Sequence, residues 1–248
     1  MAALGALMVL MMLILILFFT RWIKLGHQVH LRHIPALDSL PHLVSRAVES
    51  GQKLHVSLGT GSLTDSTTAT TLAGLAVLDH LAERGCPSGA PPLVTVAEPV
   101  VLPAAQDSLR RAYNRHGRAG EFEATQVEMV APQPVVYALG ASMRLHPEET
   151  AANVMMGSFG PEALLLAEPG ARNGIEQVAG TDDPQAMALL MAVVEAPVIG
   201  EQVYAVPAYL NRRPAHIASL RAQDTMRIGI IVLVVIAALL RTLGVSFF

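Results

Sequence analysis

The nine residues LGTGSLTDS hold the side-chain types that ligand chemistry at a backbone turn would need. Gly59, Thr60, Gly61, Ser62, Thr64 and Asp65 lie between an apolar strand expected at 54–58 and a helix expected at 66–84. Glycine admits positive φ, and a helix start presents unpaired N–H groups and the positive end of a dipole. Together these suit a nucleotide or another phosphorylated compound. The turn resembles half of the G-x-G-x-x-G dinucleotide fingerprint, with Thr64 standing where the third glycine belongs. No G-K-[ST] follows, so it is not a P-loop. The bland alternative stays open: glycines permit the turn, Ser, Thr and Asp cap the helix, and the run STTATTLAG lets that helix lie close to a sheet.

Three further loops belong to the same edge if the strands run parallel. They are AEPVVLP with Glu98, GSFGPE with Ser158, Gly160 and Glu162, and AGTDDP with Thr181, Asp182 and Asp183. In an open parallel sheet, ligands sit beyond the carboxyl ends of the strands. Glu98, Asp65, Glu162 and Asp182 would meet on a cation or substrate there if the loops converge. The competing reading needs no ligand. Asp182 is placed as an N-cap with Gln185 as its box partner and Pro184 near the first helical position, and Gly160, Pro161 and Glu162 spell another helix start. Acids at helix starts stabilise by a few tenths to about 1 kcal/mol through the dipole alone.

Signatures of known chemistry are missing. There is no G-x-S-x-G, no H-E-x-x-H and no pair of cysteines. Cys86, in RGCPSG, reads as a loop thiol with no activator. His27, His30 and His33 stand three apart, which on a helix spreads them over about 120°, and no carboxylate or cysteine joins them at ligand spacing. They read as polar residues at a membrane surface. No catalytic residue, metal or cofactor is expected.

The elements that must position these loops alternate along the chain. Strands are expected at 93–98, 125–131, 152–157 and 175–180. Helices are expected at 103–117, 134–145, 161–168 and 184–195, the first with a basic, solvated end at Arg110, Arg111, Arg115 and Arg118. A sixth strand is expected within VIGEQVYAV, 198–206. Ahead of the first strand, Asp38 or Ser39 would cap a short helix with Pro41 near its first position and Gly51 at its end. This alternation predicts an α/β fold, a Rossmann-like and mostly parallel sheet with helices on both faces.

The ends of the chain differ in kind. Of 248 residues 52% are hydrophobic and only 15% charged, and the excess of apolar residues sits at the termini. Residues 2–20 carry no charge and as a helix reach about 28 Å, enough for a hydrocarbon core. No basic stretch precedes them and TRWIKLG follows, which favours an uncleaved anchor over a signal peptide. Phe18, Phe19 and Trp22 form an interfacial belt. At the other end IGIIVLVVIAALL is too short to span alone. Counted from Met226 to Phe248, with Arg241 snorkelling, it is long enough. A helix starting at Pro214 runs into it without a break.

Arg21, Lys24 and Arg32 follow the first span, and Arg212, Arg213, Arg221 and Arg227 precede the second. Positive charge marks the cytosolic side, so the middle is expected in the cytosol and the two spans in the inner cell membrane. A net charge of −3 argues against a nucleic-acid binder. One cysteine permits no internal disulfide, which suits a reducing compartment. The expected organisation is a transmembrane helix at 1–22, a juxtamembrane segment at 23–53, a cytosolic α/β domain at 54–213, and a long helix entering the second span at 214–248.

The motifs LGTGSLTDSTTATTLAGLAVLDHLAERG, PPLVTVAEP, LPAAQDSLRRAY, VAPQPVVYALGA, ANVMMGSFGPEALLLAE, QVAGTDDPQAMALL and PAYLNRRPAHIASLRAQD together resemble an uncharacterised family of membrane-anchored bacterial proteins known as a domain of unknown function. The resemblance runs from about Ile34 to Asp224. It brings no established catalytic residues. The expectation is a structural or assembly protein whose partners are the lipid bilayer, its own copies as a homo-oligomer, or a larger membrane complex for which it is a scaffold. The rival expectation is a membrane-tethered sensor or enzyme with a ligand at the GTGS loop.

Overall fold

Strands apolar on both sides need cover on both faces, and six strands meet that requirement in a single parallel sheet. They are β1 (Lys53–Gly59), β2 (Leu93–Val96), β3 (Val127–Met129), β4 (Thr150–Ser158), β5 (Glu176–Thr181) and β6 (Ala196–Ile199), in the order β3-β2-β1-β4-β5-β6. A computed structural model describes residues 2–242 apart from 28 and 30. His30 and the expected end of the second span, 243–248, therefore lie outside the described residues.

Alternation along each strand divides the core in two. Leu54, Val56, Leu58, Val94, Val96, Ala152, Val154, Met156 and Val178 face one way. They are covered by α2 (Pro35–Ser50), α3 (Thr68–Gly85), α4 (Val101–Arg115) and α8 (Gln202–Asn211). Ala97, Met155 and Ala179 face the other way, under α5 (Pro134–Ser142), α6 (Ala163–Arg172) and α7 (Pro184–Leu190). The helices after β1 and β2 lie on the first face and those after β3, β4 and β5 on the second. This is a doubly wound sheet whose order reverses between β1 and β4.

Helix α3 approaches the sheet closely because of Gly74. A Cβ there would stand 2.2 Å from the carbonyl oxygen of Met156. The small-residue run at the start of this helix thus has a packing consequence, as its composition predicts.

Three local expectations are corrected. Helix α2 begins at Pro35, and Pro41 is inside it rather than at its start; Gly51 does end it, in the left-handed region at φ 67°. The N-cap of α7 is Asp183, which accepts from the N–H groups of Gln185 and Ala186, not Asp182. Strand β6 takes only the start of VIGEQVYAV. A turn at Gly200 and Glu201 follows, and Gln202 to Val206 begin helix α8, in which Val203 and Val206, three apart, are buried in the first core.

Residues 32–211 make one compact unit, and the chain ends make another. In the second unit α1 (Ala2–Lys24) packs against α9 (Pro214–Thr242), which continues unbroken from its polar start into the apolar run. Two helices here are long and apolar enough to cross a membrane. Their most apolar windows are 0% and 6% buried, whereas a core helix of a soluble protein would be mostly buried. Near the end of α1, Trp22 stacks on His27, whose Nδ1 lies 3.0 Å from the Trp22 carbonyl oxygen, while His33 pairs with Asp38.

Candidate functional site

The glycine turn lies at the point where the strand order reverses. Gly59 ends β1 with φ 77° and pairs with Ser158 at the end of β4. A Cβ on Gly59 would meet the Ser158 carbonyl oxygen at 2.2 Å, so both the conformation and the space require glycine. Thr60 N–H donates to that same oxygen at 2.9 Å, and Ala97 N–H, just beyond β2, donates to the Gly59 carbonyl at 3.3 Å. The loops carrying Gly59, Glu98 and Ser158 are therefore neighbours.

Inside the turn the polar groups satisfy one another. Ser62 N–H donates to Thr67 Oγ1, the Ser62 and Thr64 hydroxyls are 3.1 Å apart, and Thr64 N–H reaches Ser62 Oγ at 3.4 Å. Asp65 accepts from both the N–H and the hydroxyl of Thr67, and these bonds hold its carboxyl below the usual carboxylate range. That carboxylate lies just ahead of α3, on the N–H of its N-cap residue Thr67. Gly61 is enclosed: a Cβ would lie 2.4 Å from Thr71 Oγ1 and 2.8 Å from Ser158 Cβ.

The four acids each have separate surroundings. Asp65 serves Thr67. Glu162 accepts from Gly160 N–H at 2.8 Å, and Asp182 accepts from the Tyr204 hydroxyl at 2.7 Å. Glu98 is half-buried; its backbone carbonyl accepts from Val101 N–H at 3.1 Å, while its carboxylate has no hydrogen bond or ion pair among the described residues. Nor do the described residues contain a group of three His, Cys, Asp or Glu placed to hold a metal. Thr181 joins the edge differently, accepting from Phe159 N–H and donating to the Phe159 carbonyl. Asp182 raises the pKa of the Tyr204 phenol. Thr70, fully buried on α3, acts the other way without a hydrogen bond of normal geometry.

Beneath this edge runs a feature that motif reading does not reach. Gly59 N–H and the Ser57 hydroxyl contact the oxygen of Tyr137, which donates to the Thr95 carbonyl at 3.0 Å. The Thr95 hydroxyl lies 3.0 Å from His55 Nε2, and His55 Nδ1 lies 2.8 Å from Asn153 Oδ1. Asn153 donates to Gln177, and Gln177 to the carbonyl of Ala167. An amide oxygen only accepts, so the His55 proton is on Nδ1 and Nε2 accepts from Thr95. Burial pushes the His55 pKa down to about 4, against a weaker upward pull from Asn153, so the ring is neutral. Burial likewise raises Tyr137.

Cys86 is in the turn that follows α3, a loop position as expected. It is buried there, and that burial pushes its pKa up to about 11, which makes it unreactive. At the amino ends of the strands, a cleft of ≈ 450 Å³ is lined by residues including Lys53, Leu93, Glu123 and Gln126.

The strand order and the glycine turn define a doubly wound α/β domain of the dinucleotide-fold type, in a chain whose two ends are of membrane-spanning length. The chain belongs to the family described as Domain of unknown function (DUF6754), whose profile matches residues 2–248. No curated protein and no solved structure matches it.

Proposed function

We propose that this chain is a membrane-anchored assembly protein whose α/β domain associates with its own copies or docks on a larger membrane complex. One observation carries the reading. The outer surface of α5, α6 and α7 exposes Val135, Val136, Leu139, Met143, Leu165, Leu189 and Met191, and α5 and α7 contain no charged residue. Exposed apolar surface rimmed by polar groups marks interaction sites. The flanking arginines and Lys24 support two spans in the inner cell membrane with the domain in the cytosol. A test is light scattering on the full-length chain in mild detergent, corrected for detergent, over a concentration series. A discrete multiple of the chain mass is expected; a single chain at every concentration would overturn the reading. Orientation is tested by Ser88→Cys, an exposed position, which should resist labelling from outside intact cells.

A second reading, a nucleotide or phosphorylated ligand at the glycine turn, is favoured by the position of Gly59 at the reversal of strand order. The Asp65 carboxylate at the start of α3 weighs against an anion. If nucleotides raise the melting temperature of the chain and Gly61→Val with Asp65→Ala abolishes that shift, the second reading gains; a panel with no shift removes it.

A further inference from the structure

Resting on the assembly reading, we infer that the partner of the α5–α6–α7 surface is the same surface of a second copy, related by a twofold axis passing near α6. Three observations select this occupant. The surface is self-complementary in charge. Its single internal ion pair, Glu168–Arg172, is satisfied within α6, and α5 and α7 bring no charge of either sign. A partner with unpaired charges would have them desolvated there without compensation, whereas a second copy brings the same uncharged α5 and α7 and an α6 whose one acid and one base are already paired.

The layer also has a centre. Helix α6 packs against both α5 and α7, so it is the middle element of the three. A twofold interface places the same patch against itself, and an axis through the centre sets α6 opposite α6 of the other copy. Leu165, exposed on α6, is then the residue nearest its own counterpart.

The third observation is area. Helices about 15 Å long and packed 8–10 Å apart give a footprint of about 400 Å², half the roughly 800 Å² per partner of a standard stable interface. Such a contact is weak between free molecules. Two helices of membrane-spanning length per chain would confine copies to one plane, which raises their effective concentration without any new contact. A second copy anchored in the same bilayer is thus the occupant that so small a surface can hold.

The test uses the full-length chain in membranes with one added thiol, since Cys86 is buried and its thiol pushed up to about 11. Leu165→Cys should crosslink with a short bismaleimide into a species of twice the chain mass, containing both of two differently tagged copies. Leu72→Cys, exposed on α3 in the other layer, should not. Leu139→Glu introduced beside Leu165→Cys should reduce the crosslinked fraction at least fivefold, and dilution into excess detergent should do the same. Crosslinking of Leu165→Cys only to a protein of different mass would overturn the second-copy inference while leaving the assembly reading in place. Crosslinking to nothing, with particle mass unchanged by Leu139→Glu, would overturn both.

Discussion

The two helical layers covering the sheet are built in opposite senses. Over the first face, the sheet presents Leu54, Val56, Val94 and Val154, and α2, α3 and α4 turn charged residues outward. Arg111 pairs with Asp79, Arg115 with Glu83, and Arg46 with Glu176. Over the second face, the sheet presents His55, Ser57, Thr95, Asn153 and Gln177, all buried, while α5 exposes Val135, Val136 and Leu139 and α7 exposes Leu189, with Met191 just beyond it. The first layer is arranged for water. The second puts hydrogen-bonding groups inside and apolar groups outside, which suits a layer that is covered in use.

The largest expected effect separates the layers by their glycines. Gly74→Ala should destabilise by about 3 kcal/mol, because its Cβ would stand 2.2 Å from the Met156 carbonyl and backbone must move. Gly140→Ala, whose Cβ would lie 2.3 Å from Val130 Cγ1, meets only the end of a side chain. Rotation of Val130 and the better helix propensity of alanine should hold the change under about 1 kcal/mol. Thermal melts of both variants in one detergent check this, and equal losses would break the distinction.

Next come adjacent residues of β4 that face opposite layers. Asn153→Ala orphans the His55 N–H and the Gln177 carbonyl and should cost about 3 kcal/mol. Val154→Ala removes two methyl groups from the apolar side and should cost about 2 kcal/mol. Urea titrations that reverse this order would show that the polar row contributes little.

The row should also titrate. His55 is neutral when folded, with a pKa of about 4 against an ordinary 6.5. The unfolded chain therefore binds the extra proton below about pH 6.5, and stability falls as pH falls. The loss stops growing below about pH 4, where the folded ring protonates too. Between pH 7 and 5 this one group should remove about 2 kcal/mol. His55→Gln, which retains a donor and an acceptor, should flatten that part of the profile; an unchanged slope would assign it to other groups.

The smallest effects on stability concern the surfaces. Arg111→Ala should cost at most about 1 kcal/mol, since exposed ion pairs contribute little. Leu139→Glu should change stability by about 0.5 kcal/mol or less. Only the second should lower the particle mass seen by light scattering.

The sheet, the positions of five strands and the two terminal helices were legible because each rests on local periodicity or uninterrupted apolar length. Helix α8 was not, since VIGEQVYAV holds the end of a strand and the start of a helix within nine residues, and short apolar runs do not separate the two. The cap of α7 was misplaced by one residue because Asp182 and Asp183 are chemically alike, and only tertiary contact gives Asp182 to Tyr204. At the strand ends, the sequence lined up thirteen residues along one edge. It had no means of showing that Asp65, Glu162 and Asp182 are each taken by a different neighbour. The polar row left a readable trace: His55 and Ser57, Thr95, Asn153 and Gln177 occupy alternate positions of strands otherwise apolar. Strand parity puts them on one face, but their meeting depends on β1 pairing with β4.

That pairing gives the row a role in choosing among folding errors. The His55–Asn153 bond joins residues 98 positions apart, the kind of distant contact that forms slowly and late. A slip of β4 by one residue would turn Asn153 into the apolar core and remove partners from His55 and Gln177 together, because a single step exchanges the two faces of a strand. An all-aliphatic row would tolerate such a slip at little penalty. Here a misaligned sheet would bury polar groups that have lost their partners, so the row penalises the wrong register.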